Sequence, residues 1–524
     1  MGISHWGLAE VVRTHGRDRP KSPAITYGSE VTTWGRLDER SSLVADALIG
    51  LGVGTGDRIA FVGKNTPEYF ELLFGAAKAG AVTVAINWRL KPAEIQFIAD
   101  DAGAKVLVAG EDFTGVVGEL RETRVTPSTY MVLGSGEVAG AVPYEDWLSD
   151  HQPVDPGHVA EPDEVAFQLY TSGTTGLPKG AMLSNANVES LNAAGESMFG
   201  INETSINLVV LPTFHIGGAG YALIGMALGC NTILLRDFDP ARALEALSQH
   251  RVTNTFFVPA MLAFMSAVPG ASDGDYSSLR SVIYGASPIT DETLKAAIRT
   301  FGCDFFQVYG LTETTGAITQ LRPEDHDPDG PRSHLLRSAG KPFDWVEIRL
   351  VDPETGGDRP TGEVGELWTR SRQNMKGYWN NDEATAEAVR DDGWLRTGDA
   401  GYLDDDGYLF LTDRVKDMIV SGGENVYPAE VENVLSAHPA IADVAVIGVP
   451  DPRWGETAKA VVVLRPGANA DPDEIIAFAR ERIAHFKCPT SVDFIDVLPR
   501  NPSGKVLKRE LREPYWEGRE RRVG

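Results

Sequence analysis

YTSGTTGLPKG, which spans residues 170–180, is the most informative part of the chain. Its glycines let the backbone approach an anion closely, and successive N–H groups of such a loop form a concavity for phosphate oxygens. Its hydroxyl groups add hydrogen-bond donors, and Lys179 adds a positive charge that suits phosphate. Apolar runs at 165–170 and 181–184 predict a strand on each side of the loop. A Walker A loop is excluded, because that motif requires Gly-Lys-Ser/Thr where this chain has Lys179 followed by Gly180.

The string strongly resembles the phosphate loop of the adenylate-forming enzymes, which include acyl- and aryl-CoA synthetases, peptide-synthetase adenylation domains and firefly-type luciferases. Further family motifs follow in order along essentially the whole chain. The resemblance implies an α/β fold with a large N-terminal domain of layered αβ sheets and a β-barrel-like subdomain, residues 1–415. A small, mobile α+β C-terminal domain, residues 416–524, is expected to follow the hinge Lys416. Alternating strand and helix patterns in residues 1–160 favour parallel sheets covered by helices.

The composition is typical of a soluble globular protein. The 524 residues are 42% apolar and 23% charged, and the length predicts more than one domain. With 48 basic and 74 acidic residues the net charge is −26, which argues against binding nucleic acid or anionic lipid through bulk charge. The three cysteines are widely spaced, which predicts free thiols in a reducing compartment. No signal peptide or membrane-spanning run is evident, so we expect a cytoplasmic protein without an integral membrane segment.

The family resemblance assigns an ATP site to residues spread along the chain. Thr312 contacts the α-phosphate, and Glu313 holds Mg²⁺, which prefers a carboxylate together with phosphate oxygens. Asp399 and Arg414 bind the ribose, and a carboxylate suits a diol because it only accepts hydrogen bonds. The other residues expected on the nucleotide are Thr171, Ser172, Gly173, Thr174, Thr175 and Lys179 at the phosphates, and Gly285, Ala286, Ser287, Gln307 and Tyr309 around the adenine.

His215 lies in the segment LPTFHIGG at 211–218, which by resemblance lines the site of the carboxylic acid. Members that activate amino acids carry an aspartate at the position of His215, where it pairs with the ammonium group of the substrate. A buried ammonium group without that partner is costly, so an amino acid is not expected here. Residues 257–262 and 285–316 are expected to complete the pocket. No charged residue is evident among residues 215–218 and 257–262, which favours an acid with an apolar tail.

The resemblance implies a two-step reaction. A carboxylate attacks the α-phosphate of ATP and gives an acyl-adenylate and pyrophosphate, and a thiol then attacks the mixed anhydride and releases AMP. The first step depends on positioning and charge stabilisation, for which Thr174, Glu313 and Lys505 are the expected catalytic groups, with His215 at the acid. For the second step the family rotates the small domain about the hinge, so that coenzyme A reaches the site in place of Lys505.

Coenzyme A is expected on the small domain. Gly422 and Gly423 leave room for its pantetheine arm, and Trp454 and Phe486 match aromatic residues that stack its adenine in benzoate-type CoA ligases. The alternative for both aromatic residues is the core of the small domain. Cys488 occupies a position at which some relatives carry an arginine for a phosphate of coenzyme A.

The motifs favour an AMP-forming acyl-CoA synthetase for a medium- or long-chain fatty acid, with an aryl or alicyclic acid as the second choice. An acyl-AMP ligase that loads a carrier protein and a luciferase-like oxygenase share the same motifs and stay open. A peptide-synthetase adenylation domain is disfavoured by His215 and by the lack of a Gly-Gly-Asp-Ser carrier site. A nucleotide-binding pseudoenzyme is disfavoured because Glu313 and Lys505 are both present. A homodimer is compatible with the family.

Overall fold

The computed structural model describes residues 7–122, 127–134, 138–172, 177–287, 289–353, 355–414, 417–421, 424–500 and 506–517. The chain divides into two compact units, of which the larger comprises Met1–Glu347 and Arg370–Leu395. The smaller unit comprises Ile348–Thr369 and Arg396–Gly524. The predicted α/β class with a large and a small unit is therefore confirmed. The expected domain boundary between residues 415 and 416 stays a prediction.

One large sheet of the first unit has nine strands within the described residues. In spatial order they are β16 (Lys341–Pro342), β15 (Gly316–Leu321), β14 (Asp304–Leu311), β13 (Ser281–Gly285), β12 (Asn254–Phe257), β10 (Ile206–Val209), β11 (Asn231–Leu234), β1 (Pro23–Tyr27) and β2 (Glu30–Thr33). The strands from β14 to β11 run parallel, whereas β15 is antiparallel to β14. The carboxyl ends of the parallel strands therefore meet at one edge, where α/β sheets bind ligands.

A second large sheet contains the strands on both sides of the glycine-rich loop. In spatial order its strands are β19 (Gly377–Tyr378), β9 (Pro178–Ser184), β8 (Val165–Ser172), β4 (Val82–Ile86), β3 (Arg58–Val62), β5 (Val106–Ala109), β6 (Thr129–Val132) and β7 (Val142–Pro143). The antiparallel pair β8–β9 places Thr171 opposite Lys179. The two predicted flanking strands are thus present, and they extend closer to the loop than the apolar runs indicated.

Helices cover these sheets, as the alternating sequence pattern predicted. Their bounds are α1 (Leu8–Asp18), α2 (Trp34–Gly50), α3 (Pro67–Lys78), α4 (Pro92–Ala102), α5 (Thr114–Glu122), α6 (Tyr144–Ser149), α7 (Asn185–Ser197), α8 (Ile216–Ala227), α9 (Pro240–Gln249), α10 (Pro259–Ser266), α11 (Asp291–Phe301) and α12 (Asp382–Ala388). Several begin at a proline, whose fixed φ suits a first helical turn. Phe257, Leu262, Tyr284 and Leu294 belong to one buried core, which binds α10 and α11 to the nine-stranded sheet.

The second unit contains most of a four-stranded sheet where the resemblance implied a barrel-like subdomain. Its strands are β17 (Glu347–Val351), β18 (Gly365–Arg370), β20 (Leu395–Leu403) and β21 (Leu409–Arg414). A five-stranded sheet with helices follows, formed by β22 (Ile419–Ser421), β23 (Glu424–Val426), α13 (Pro428–Ser436), β24 (Ile441–Asp451), β25 (Gly455–Leu464), α14 (Pro472–Arg480), β26 (Ser491–Phe494) and α15 (Lys508–Trp516). This α+β arrangement has its own core around Ile419, Val431 and Ile475.

The cysteines are free thiols, as predicted from their spacing. Cys230 and Cys488 are buried and Cys303 is half-buried. Burial raises the pKa of Cys230 and of Cys303 to about 12, which makes both thiols unreactive. Within the described residues no helix combines the length and the apolar character that crossing a membrane requires.

Two buried threonines of the nine-stranded sheet provide a matched test of its packing. Thr232 on β11 and Thr255 on β12 are both fully buried. The Thr232 hydroxyl has no hydrogen-bond partner among the described residues, whereas the Thr255 hydroxyl donates to the Leu208 carbonyl at 3.2 Å. We expect Thr232→Val to raise the free energy of unfolding by about 1 kcal/mol and Thr255→Val to lower it by about the same amount. Urea unfolding of the two variants checks this, and equal effects of the same sign would contradict it.

Candidate active site

The ends of the glycine-rich loop lie beside Glu313. The Thr171 hydroxyl at the end of β8 donates to Glu313 Oε1 at 3.3 Å. Lys179 is the second residue of the return strand β9 and lies directly opposite Thr171. Because Glu313 follows β14 of the other large sheet, this hydrogen bond joins the two sheets at the loop. The structure thus brings together Thr171, Lys179 and Glu313, which the sequence had placed on one nucleotide.

The turn between β14 and β15 fixes the position of Glu313. The Thr314 hydroxyl accepts from the Leu311 N–H at 2.8 Å and donates to the Gly316 carbonyl at 2.7 Å. Thr315 has a φ of 53°, and its hydroxyl donates to the carbonyl of Gln373 at 2.6 Å. A β-branched residue at positive φ is strained and persists only where its surroundings hold it. Glu313 is therefore carried by a rigid turn, although the sequence alone suggested only a hydroxyl-rich loop.

Tyr378 is a neighbour of Glu313 that the sequence analysis missed. Its hydroxyl donates to Glu313 Oε1 at 2.8 Å, and Lys179 Nζ lies 5.3 Å from the centroid of its ring. Strand β19 pairs with β9 and places Tyr378 opposite Ala181. The sequence GYWN around Tyr378 carries no local signal that points to the loop, because the contact depends on pairing between distant strands.

The Glu313 carboxylate fits one magnesium ion bound together with a nucleotide. It is half-buried, and among the described residues Thr171 and Tyr378 both donate to its Oε1 atom. No group of three His, Cys, Asp or Glu side chains suited to a metal occurs in the described part of the chain. A metal at Glu313 would need further oxygen ligands from phosphate or water, which is the usual manner in which Mg²⁺ binds with nucleotides.

The residues predicted around the adenine follow β13 and lie on β14. Gly285 ends β13, and a Cβ atom there would lie 2.2 Å from the Val308 carbonyl, so only glycine fits. Ala286 is exposed and has a φ of 67°, which is unusual for a residue other than glycine. The Gln307 side chain donates to the Val308 carbonyl at 3.2 Å, and its buried Oε1 has no partner among the described residues. That oxygen is available to a donor such as the amino group of adenine.

Ser287, Tyr309 and Thr312 complete this part of the predicted site. Ser287 follows Ala286, Tyr309 lies on β14 opposite Thr319, and Thr312 accepts from the Thr315 N–H through its carbonyl at 2.9 Å. All three are half-buried and border the turn that carries Glu313 or the end of β13. The nucleotide-facing groups predicted for the larger unit therefore come from adjacent strand ends.

His215 caps the start of α8 and is held neutral. Its Nε2 atom is buried without a hydrogen-bond partner among the described residues, and its ring lies 4.5 Å from the ring of Phe214. Burial, assisted by the positive charge of Arg89, lowers the pKa of His215 to about 4. A neutral imidazole in this position does not attract a second carboxylate, which agrees with the expectation of an apolar acid.

The neutral state of His215 has a measurable effect on stability. In the unfolded protein the imidazole has the ordinary pKa of 6.5. As the pH falls from 6.5 towards 4, the unfolded protein therefore binds a proton at this residue and the folded protein does not. This difference in proton binding lowers the free energy of unfolding by on the order of 2 kcal/mol between pH 6.5 and 4. We expect the melting temperature of His215→Gln to fall less than that of the wild type between pH 6.5 and 4.5. The exposed His334, changed to Gln, is the control and should leave the pH dependence unaltered.

The face of α8 beyond His215 packs against Phe256. A Cβ atom on Gly217 would lie 3.2 Å from the Phe256 ring, and the Tyr221 ring lies 5.9 Å from it. Phe257 on β12 and Leu262 on α10, which were expected among the pocket walls, are fully buried in the core that contains Tyr284 and Leu294. Their place in the pocket stays a prediction. Neighbouring residues of a strand point to opposite faces, so only one of the two phenylalanines can face α8.

The two residues predicted at the ribose are neighbours in the second unit. Asp399 on β20 lies opposite Arg414 on β21 in the antiparallel register. Asp399 is buried, and its N–H donates to the Thr397 hydroxyl at 3.1 Å. Strand pairing thus places a carboxylate position and a guanidinium position side by side.

Trp454 and Phe486 are surface residues of the same unit. Each is 45% exposed, so neither belongs to the core that was the alternative for them. The Arg453 guanidinium lies 4.5 Å from the Trp454 ring centroid, and Lys487 beside Phe486 pairs with Glu430 at 2.7 Å. Cys488, in contrast, is buried in the core and faces away from solvent.

The remaining predicted site residues lie outside the described part of the chain. They are Gly173, Thr174 and Thr175 of the loop, the hinge Lys416, Gly422, Gly423 and Lys505. Ser172 and Arg414 are the last residues of β8 and β21, and the structure describes their backbone.

Comparison with known proteins identifies the family of the chain. The family model of the AMP-binding enzyme matches residues 12–379, and that of the AMP-binding enzyme C-terminal domain matches residues 430–505. The chain is 39% identical to the fatty acid–[acyl-carrier-protein] ligase ScoC of Streptomyces coeruleorubidus, over 99% of each protein. It is also 39% identical to the feruloyl-CoA synthase of an Amycolatopsis species, over 98% of this chain and 99% of that protein. The crystal structure of the anthranilate CoA ligase AuaEII in complex with anthranoyl-AMP covers 98% of each chain with a TM-score of 0.89 and 27% identity.

Proposed function

Because the chain belongs to the AMP-binding enzyme family, as its sequence motifs predicted, we propose that it joins an apolar carboxylic acid to AMP and then to the thiol of coenzyme A. The acid attacks the α-phosphate of ATP and releases pyrophosphate. The thiol then attacks the acyl carbon of the adenylate, and AMP leaves. The observation that carries this proposal is the convergence of Thr171, Lys179 and Glu313 at the ends of the glycine-rich loop.

Each predicted site residue has a proposed role in the first step. Thr171, Lys179 and the loop residue Thr174 would hold the phosphates, and Glu313 would hold Mg²⁺. When bound, the ion would supply positive charge that offsets the charge of the phosphates. Gln307 accepts from the adenine, and Asp399 with Arg414 holds the ribose. Lys505 brings the attacking carboxylate and the α-phosphate together, so that two anions meet beside a fixed cation.

We propose a fatty acid of medium or long chain as the acid, with an aryl acid as the second candidate. The apolar helix α8, the neutral His215 and the Phe256 ring support a substrate without a second charge. One relative is a fatty acid ligase, and the other is a feruloyl-CoA synthase, which acts on an aryl acid. Apolar pockets discriminate by only about 1–3 kcal/mol per methylene, so several acids should serve.

The acceptor is proposed to be coenzyme A, and a carrier protein is the second candidate. The exposed rings of Trp454 and Phe486 support a site for the adenine of coenzyme A. One observation favours the carrier protein. ScoC, a fatty acid–[acyl-carrier-protein] ligase, has the same identity to this chain as the feruloyl-CoA synthase, 39%. Both acceptors present a phosphopantetheine thiol. A cytoplasmic location and a homodimer stay predictions from the sequence.

A panel of acids tests the proposal in two stages. Exchange of labelled pyrophosphate into ATP reports the adenylation step, and it should occur with apolar acids and not with amino acids. AMP release is then measured with coenzyme A and, separately, with a carrier protein bearing phosphopantetheine. Release with coenzyme A supports the first candidate, and release with the carrier protein alone supports the second. A protein that exchanges no pyrophosphate with any acid would overturn the proposal.

A further inference from the structure

Tyr378 is tied to both halves of the phosphate site by its own short segment. Strand β19 pairs with β9, and the N–H groups of Lys376 and Trp379 donate to the carbonyls of Met182 and Gly180 at 3.0 and 2.8 Å. The segment therefore lies against β9, the strand that contains Lys179. Its pairing with β9 fixes the backbone of Tyr378 relative to the loop.

The same segment is also bonded to the turn that carries Glu313. The Met375 N–H donates to the Glu313 carbonyl at 2.8 Å. Gln373 is fully buried, and its amide donates to the carbonyls of Thr314 and Ala317 at 3.3 and 2.8 Å. Residues 373–379 thus bridge the turn and β9, with the Tyr378 hydroxyl aimed at Glu313 Oε1 between them.

The backbone of Tyr378 is further fixed from the C-terminal side. Gly377 has a φ of 140°, and a Cβ atom there would lie 2.6 Å from the Thr385 side chain. The Tyr378 N–H donates to the Thr385 hydroxyl at 2.9 Å. These backbone contacts hold Tyr378 in place, and its hydroxyl donates to the Glu313 carboxylate.

We propose that Tyr378 is a positioning residue, whose hydroxyl orients the Glu313 carboxylate towards a nucleotide-bound divalent cation. This inference rests on the proposed function, because Glu313 is assigned to the cation there. The hydrogen bonds from Tyr378 and Thr171 both fall on Oε1, which fixes the plane of the carboxylate from one side. Partners that orient a metal ligand typically change metal affinity by about 10-fold to 100-fold when they are removed.

Binding of Mn²⁺ to the full-length protein tests the inference without turnover. The dissociation constant is measured by electron paramagnetic resonance in the presence of a non-hydrolysable ATP analogue. We expect Tyr378→Phe to weaken Mn²⁺ binding by about 10-fold to 100-fold and to raise the Mg²⁺ concentration needed for half-maximal pyrophosphate exchange. Tyr130→Phe is the control, since β6 is separated from β8 by β5, β3 and β4. It should change neither quantity.

A second variant separates positioning from general packing. In a Glu313→Gln background the Tyr378→Phe change should have no further effect on Mn²⁺ affinity, because the residue acts through that carboxylate. Additive losses, or an unchanged Mn²⁺ affinity in Tyr378→Phe alone, would overturn the inference. If the wild-type protein itself binds no Mn²⁺ with the nucleotide, the assignment of Glu313 fails instead, and with it that part of the proposed function.

Discussion

Lys505→Ala should lower the rate of acyl-adenylate formation by about 10²–10³-fold, because it removes one preorganised charge from the transition state. Transfer of the acyl group from a supplied acyl-adenylate to the thiol should stay near the wild-type rate. In the proposed second step the thiol attacks the acyl carbon rather than the α-phosphate, so the lysine is not expected to take part. Pyrophosphate exchange measures the first step, and AMP release from synthetic acyl-adenylate measures the second.

The split between the two steps is the discriminating result. Lys295→Ala removes a surface lysine that pairs with Asp329, and it should affect neither step. Lys505→Arg keeps the charge and should recover part of the adenylation rate. An equal loss in both steps for Lys505→Ala would indicate general damage to the protein and would count against the assigned role.

Glu313→Gln is expected to have the second large effect, a loss of about 10²–10³-fold in pyrophosphate exchange. The substitution keeps the shape and the ability to accept from Thr171 and Tyr378, but it removes the negative charge that we propose binds the cation. Excess Mg²⁺ should restore part of the activity, because a neutral amide oxygen is a weaker ligand rather than none.

A surface carboxylate provides the comparison for this charge change. Glu347 pairs with Arg370 at 2.6 Å, and both side chains are exposed. Glu347→Gln should leave pyrophosphate exchange unchanged, since exposed ion pairs contribute little. If Glu313→Gln retains full activity at limiting Mg²⁺, the carboxylate does not hold the metal.

Strand positions could be predicted where the local pattern is clear. The apolar runs on both sides of the glycine-rich loop predicted two strands, and the structure contains both. The family resemblance assigned Asp399 and Arg414 to one ligand, and the structure places the two residues opposite each other on neighbouring strands. Motifs of this kind are contiguous, so their geometry depends on few distant contacts.

Contacts between residues that lie far apart in the sequence could not be predicted. Tyr378 reaches Glu313 only because β19 pairs with β9, and no nearby residue predicts that pairing. Phe256 rather than Phe257 faces α8, because α8 covers only one face of β12. The covered face depends on the whole sheet and cannot be inferred from the strand alone. The positive φ of Ala286 likewise reflects the surrounding fold, because alanine itself does not favour that conformation.

The contact between Gly217 and Phe256 has a consequence for directed evolution, if the proposed acid pocket is correct. A methyl group at position 217 would lie 3.2 Å from the aromatic ring, so the ring must shift by a few tenths of an ångström to accept even alanine, and larger side chains need more room. Randomising both positions together, with smaller side chains permitted at 256, gives each bulky replacement the room it needs. The same coupling predicts that homologous sequences with a larger residue at 217 carry a smaller one at 256.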